Sequence, residues 1–217
     1  MSADIRTDRP TPAQAAERVW WGKDASYAYQ PRLGGAGTRA TLSGDAISYA
    51  VGAREGRLSL RDVAGVRLRF HPAKFAHSSF ETELRTWGGE KLKLGSVSRV
   101  SLTGVRDQGP EYAAFVRALH ERLADLETAG GFRGQPGVTY RGGFATLRWW
   151  LVAVLGFATL AGLVAIFGIA LVDRQWSFAA FLAVLSAFVA WPTVEMIVRN
   201  RPVRYRPRAV PERLLPG

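Results

Sequence analysis

Residues 149–172 read WWLVAVLGFATLAGLVAIFGIALV, and after Asp173, Arg174 and Gln175 the chain resumes with WSFAAFLAVLSAFVAWPTV at 176–194. Neither run holds an Asp, Glu, Lys, Arg or His. As helices they would span about 36 Å and about 28 Å at the usual rise per residue, against a hydrocarbon core of about 30 Å. A soluble core helix of this length would keep a polar face, and neither run has one. The three residues between them force an immediate reversal, so the reading is an antiparallel transmembrane hairpin over 147–198, with spans of about 149–172 and 176–195.

Outward from the hairpin, charge is uneven. The 217 residues carry 29 Lys and Arg against 18 Asp and Glu, a net charge of +11. Arg141 and Arg148 precede the first span, and Arg199, Arg201, Arg204, Arg206 and Arg208 follow the second, while the turn holds only Arg174. The positive-inside bias therefore places both termini in the cytoplasm and the protein in the inner (plasma) membrane. Trp149, Trp150, Trp176 and Trp191 sit near the span ends, where indole rings prefer the headgroup region. The N-terminus lacks an apolar signal-peptide core, and the absence of cysteine suits a cytoplasmic domain. With no ionisable residue inside either run, an ion path or proton relay has no marker. Small residues at four-residue spacing, Ala158 with Gly162 and Ala179, Ala183 with Ala187, are the candidate seam between the helices.

Before the hairpin the hydrophobic period is two. Alternation runs through Thr38–Leu42, Ile47–Val51, Leu58–Leu60, Val66–Phe70, Phe80–Trp87 and Glu90–Leu94, with a further strand around Tyr27 and Tyr29. Gly44–Asp45, Arg54–Glu55–Gly56 and Gly88–Gly89 punctuate these runs as turns. The period then changes to that of a helix. Pro110 suits a first turn, and Tyr112, Phe115, Val116, Leu119, Leu123 and Leu126 form one apolar stripe ending at Gly130–Gly131. Residues 1–18 read as a polar tail, 129–146 as a glycine-rich linker, and 199–217 as an Arg/Pro-rich cytoplasmic tail with polyproline character. In that tail Val210, Leu214 and Leu215 are free to dock on a partner or on the protein's own sheet.

The order of alternating strands, the passage Leu58–Val66, the Gly88–Gly89 hairpin with Lys91-Leu92-Lys93-Leu94, and the closing helix with Tyr112, Phe115 and Leu119 resemble a bacterial pleckstrin-homology-like domain over residues 19–128. Ser96–Arg106 is longer than that pattern needs, leaving room for an extra strand. The resemblance implies an α+β fold: an antiparallel barrel or sandwich capped by one C-terminal helix, here followed by the hairpin. It also implies a binding or scaffolding role and carries over no catalytic residue.

Catalytic and metal signatures do not assemble in the sequence. The three histidines, His71, His77 and His120, lack metal-ligand spacing, and no cysteine nucleophile exists. Ser78, Ser79 and Ser96 lack a nucleophile-elbow setting. Gly34–Thr38 precedes a strand, whereas a phosphate-cradling loop follows one and supplies a Lys. The expectation is a protein without cofactor or metal that does not bind nucleic acid. Arg67, Arg69, Lys91 and Lys93 alternate with apolar residues and so project from the outer sheet face, either as a basic patch or as ordinary solubilising charge. Together with Arg199, Arg201, Arg204, Arg206 and Arg208 they are the candidate contacts to anionic lipid or to a protein partner, although topogenesis alone also accounts for the tail arginines. The functional expectation is a membrane-anchored, non-catalytic adaptor or accessory subunit. The alternative is a tethered sensor of lipid or a small ligand.

Overall fold

A computed structural model describes residues 24–30, 37–72, 78–99, 105–132 and 135–216. The N-terminal tail, the glycines at 34 and 35 and His77 lie outside these residues. Four strands open the fold as an antiparallel meander: β1 (Ala25–Tyr29), β2 (Thr38–Ser43), β3 (Ala46–Val51) and β4 (Arg54–Ser59). A 3-10 turn at Leu60–Asp62 crosses to a second sheet that begins with β5 (Val63–His71), β6 (Ser79–Thr86) and β7 (Lys91–Gly95). The turn into β4 lies at Gly52–Ala53, earlier than the Arg54–Glu55–Gly56 expected from sequence. Gly52 has φ 68°, a left-handed position that glycine occupies without steric cost, so it sets the reversal. The Gly88–Gly89 hairpin stands where it was expected, with Gly89 at φ 86°.

The long passage after β7 forms a two-stranded ribbon, β8 (Val97–Arg99) with β9 (Val105–Asp107), and leads into α1 (Gly109–Thr128). The apolar stripe of α1 is fully committed. Tyr112, Phe115, Val116, Leu119, Leu123 and Leu126 are buried in one cluster with Leu42, Ile47 and Leu58 of the first sheet and Leu68, Leu84 and Leu94 of the second. The Tyr112 hydroxyl shares a hydrogen bond of 2.6 Å with Thr82, so its burial leaves no polar atom unpaired. The sheets do not close into a barrel. At the open side β1 reaches β7 through side chains, Tyr27 donating to the Gly95 carbonyl at 2.6 Å and Tyr29 to that of Lys93 at 3.1 Å.

Beyond α1 the structure corrects the reading of 129–146 as a linker. Phe132, Val138, Tyr140 and Phe144 are buried, and β10 (Thr139–Gly142) joins the second sheet parallel to β5. Glycine here permits close approach instead of flexibility. A Cβ on Gly142 would lie 2.4 Å from Leu214 Cδ1 and 2.8 Å from Val203 Cγ1, and Gly143 turns the chain at φ 76°. Three residues later α2 (Thr146–Val172) begins, and α3 (Trp176–Arg199) returns. Both helices are long and apolar enough to cross a membrane. The turn between them places Arg174 at φ 55°.

The tail after α3 is likewise part of the fold. Val203–Arg204 forms β11, antiparallel to β10, giving the second sheet the order β11-β10-β5-β6-β7. Leu214 and Leu215 then bury themselves in the main core, which realises the self-docking alternative for this segment. The helical hairpin is thus an insertion between two hydrogen-bonded neighbouring strands.

The helix seam also differs from expectation. Ala179 is buried against Ala170, Leu182, Leu163 and Phe167, but Ala158, Gly162, Ala183 and Ala187 face outward. The seam follows Ala153, Gly156, Leu160, Leu163, Phe167 and Ala170 on α2, at helical three- and four-residue spacing. Ala158 and Gly162 also lie four apart, but on a different face. In a helix rich in small residues that spacing selects no face by itself.

Candidate basic cleft beside the helical hairpin

Cross-strand register decides which basic residues meet. Arg204 on β11 pairs with Arg141 on β10, Arg141 with Arg67 on β5, Arg67 with Glu83 on β6, and Glu83 with Lys93 on β7. Adjacent strands lie about 5 Å apart, and residues in register point to the same face. One row of the outer face therefore begins with three arginines in succession.

The four basic residues expected as a patch are divided by β6. Arg69 bonds Glu81 at 3.2 Å and Glu83 at 3.1 Å, and Lys93 approaches Glu81 at 3.6 Å. Lys91 is exposed at the far edge, in register with Arg85. Arg67 is left on the side of Arg141 and Arg204. Burial lowers its pKa most, the neighbouring charge of Arg69 adds to that effect, Glu83 opposes it, and Arg141 and Arg85 lower it further. Among the described residues none of Arg67, Arg141 and Arg204 forms a salt bridge, and Glu83, the one acid of the row, is engaged by Arg69.

The remaining tail arginines have separate roles. Arg199 pairs with Glu195 at 3.1 Å, one helical turn back, and stacks over Phe70 at 4.7 Å. Arg208 reaches Asp125 of α1 at 3.1 Å. Arg201 and Arg206 are exposed. The tail is held against the domain, with Val203–Arg204 paired to β10 and a 3-10 turn at Glu212–Leu214.

Two polar clasps fix this segment. Asn200, fully buried, accepts from the Phe70 amide at 3.1 Å and donates to the Phe70 carbonyl at 2.7 Å, so its side chain substitutes for a neighbouring strand at that point. Farther along, His120 on α1 lies 2.7 Å from the Val116 carbonyl through Nδ1 and 2.9 Å from the Tyr205 hydroxyl through Nε2. The carbonyl only accepts, so Nδ1 carries the hydrogen and Nε2 accepts from Tyr205. Burial lowers the His120 pKa to about 4 and raises that of Tyr205.

The three arginines of the row line a cleft of about 330 Å³ together with Gly142–Thr146 and Pro202–Val203. It opens where the chain leaves the sheet for α2. Arg141 and Arg204 each appear in the sequence among basic residues flanking the hairpin. Their adjacency is invisible to a reading of 129–146 as a linker, although Val138 and Tyr140 alternating with Thr139 and Arg141 carry a short strand signal. Among the described residues no group of three or more acidic or imidazole side chains could hold a metal ion. No protein-family model matches the chain, and no curated protein matches it.

Proposed function

We propose that this chain is a non-catalytic, membrane-anchored adaptor or accessory subunit, whose pleckstrin-homology-like domain is presented to a protein partner at the cytoplasmic face of the inner membrane. The observation that carries the reading is the insertion of the hairpin between β10 and β11. Phe144 donates to the Asn200 carbonyl at 3.1 Å, so both helices leave the domain from one point with no free linker. A domain mounted in this way holds one orientation to the bilayer, which suits a surface that must present itself to another membrane component. Strands followed by one helix packed on them support the pleckstrin-homology-like assignment. Both termini stand on the cytoplasmic side, where the arginines flanking the hairpin favour the leaflet.

Purification of the full chain from its membrane in mild detergent tests the proposal. The expected result is a stoichiometric partner protein that survives high-salt washing. Recovery of the chain alone under conditions that preserve other membrane complexes would count against the adaptor reading. The second reading, a tethered lipid or small-ligand sensor, is favoured by the arginine-lined cleft, and recovery with a bound small molecule and no partner would select it.

A further inference from the structure

We infer that the cleft of Arg67, Arg141 and Arg204 is a binding site for a phosphate ester group, with its position favouring a phospholipid headgroup as the source. The inference rests on the membrane-anchored reading and deepens it.

Three observations converge on this site. Register places the three arginines at successive positions across the β11-β10-β5 edge, all three line one cleft, and among the described residues none has a carboxylate at salt-bridge distance. Three like charges so close repel, and an anion seated among them relieves that repulsion. Guanidinium forks match the geometry of phosphate oxygens, giving paired hydrogen bonds that a lysine would not supply. The second observation is the cleft itself, about 330 Å³ and walled by the Gly143–Thr146 and Pro202–Val203 backbones. The third is location. The wall on one side is the start of α2, whose Trp149 and Trp150 follow within one turn, so the cleft faces the depth at which headgroups would lie if α2 spans the bilayer. The first turn of α2 has no acidic residue and no side-chain cap, so the positive end of its helix dipole adds to the field on that wall. Of the other basic residues on this sheet face, Arg69 and Lys93 are paired with Glu81 and Glu83, while Arg85 and Lys91 lie off the row in register with each other.

The test uses the full chain in mild detergent and native mass spectrometry. The probes are short-chain phosphatidic acid, the diacylglycerol with the same chains and no phosphate, and inorganic phosphate. The variant Arg67→Gln/Arg141→Gln/Arg204→Gln is set against Arg57→Gln/Lys91→Gln/Lys93→Gln, which removes equal charge from positions on β4 and β7 away from the cleft. The expected result is that phosphatidic acid binds, diacylglycerol does not, and the first variant weakens binding by about a hundredfold while the second changes it less than about threefold. Inorganic phosphate binding with the same dependence on the three arginines assigns the site to the phosphate group alone. Its failure to bind assigns the site to the lipid, and both results support the cleft.

Equal losses in the two variants, equal binding of diacylglycerol, or no binding of any probe would overturn the proposal. Should the triple variant not fold, Arg141→Gln alone, at an exposed position, is expected to weaken binding by about fivefold, and an unchanged affinity would overturn it equally. Alkaline carbonate extraction separates this from the reading beneath it. A chain that washes out of the membrane refutes the anchor, whereas one that stays and ignores phosphate refutes only the cleft.

Discussion

The seam between α2 and α3 and the junction where both helices enter the domain are built from different materials. In the seam the buried side chains are alanines, leucines and other apolar groups, with dispersion and close approach as the forces available. At the junction buried hydrogen bonds are added to the apolar packing of Phe70, Phe144 and Leu214. Asn200 pairs both backbone atoms of Phe70, Trp149 donates from its indole to the Ile197 carbonyl at 2.8 Å, and Gly143 donates to the Leu68 carbonyl at 2.8 Å. An apolar seam can slide or repack at small cost. A junction of directed hydrogen bonds in a protein core has one arrangement, and leaving a partner unpaired there is expensive. Orientation of the helices relative to the domain is therefore set at the junction, and the seam only keeps the two helices together.

Removing the hairpin breaks this comparison most severely. If the junction and tail belong to the domain, replacing 146–198 with a short Gly/Ser linker should leave a folded, soluble protein, because the ends it joins already touch through Phe144 and Asn200. A fragment ending at residue 128 should fail to fold, since it loses β10, β11, Leu214 and Leu215 and exposes the flank of β5. Circular dichroism and cooperative denaturation of the two proteins check this. A stably folded 20–128 fragment would show that the junction is an accessory, not a part of the core.

Next in size is Asn200→Ala, which strands the Phe70 amide and carbonyl in a buried site. Each unpaired buried group costs about 1–3 kcal/mol, so a loss of about 2–5 kcal/mol is expected in denaturation of the full chain in detergent. Ala183→Leu, on the outward face of α3, should change stability by less than about 0.5 kcal/mol. Similar effects from the two substitutions would erase the distinction between junction and seam.

How far the sequence anticipates all this depends on the range of the force involved. The hairpin and the stripe of α1 are local periodic signals, and both helices and the strands before residue 96 follow from period and turn chemistry, except that Arg54–Gly56, expected as a turn, belongs to β4. Gly142, Gly143 and Asn200 act at long range. Asn200 meets Phe70 across 130 positions of chain, and nothing near either residue announces the other. Composition marks glycine and proline as loop formers, yet here Gly142 is small because Leu214 and Val203 press on it. The arginine row was hidden for the same reason. Arg67, Arg141 and Arg204 become neighbours only once β10 and β11 are known to extend the sheet. The separation of Arg69 and Lys93 from that row follows from Glu81 and Glu83, whose register a list of alternating residues does not give.

The second clasp of the tail sharpens the comparison through pH. His120 titrates near 6.5 when unfolded and is lowered by burial to about 4 in the fold, where it accepts from Tyr205. Between those values the unfolded chain takes up the proton first. Stability is therefore full above about pH 6.5 and falls with pH, with a slope approaching 1.4 kcal/mol per unit and a total of about 3 kcal/mol by pH 4. Denaturation midpoints from pH 7 to pH 4 should show this loss, and His120→Gln should flatten its share of the curve. An unchanged pH dependence in the variant would mean that the histidine is not buried neutral against the tail.

The smallest effects come from the same mutation placed in the two regions, Gly142→Ala and Gly162→Ala. At position 142 the new methyl would meet Leu214 Cδ1 at 2.4 Å and Val203 Cγ1 at 2.8 Å, so two core side chains must move to admit it. Overpacking of this kind costs about 1–3 kcal/mol. At position 162 nothing lies within 4 Å of the added carbon, and the residue sits in the interior of α2. There alanine removes the backbone entropy penalty of a helical glycine, and stability should rise by up to about 1 kcal/mol. The predicted signs are opposite although the substitution is identical, which makes the pair independent of any general response of the protein to alanine. Thermal denaturation of both variants in one detergent reads the difference. A gain at 142, or a loss at 162 comparable to that expected at 142, would mean that the tight contact lies along the helices and not where the chain passes from sheet to hairpin.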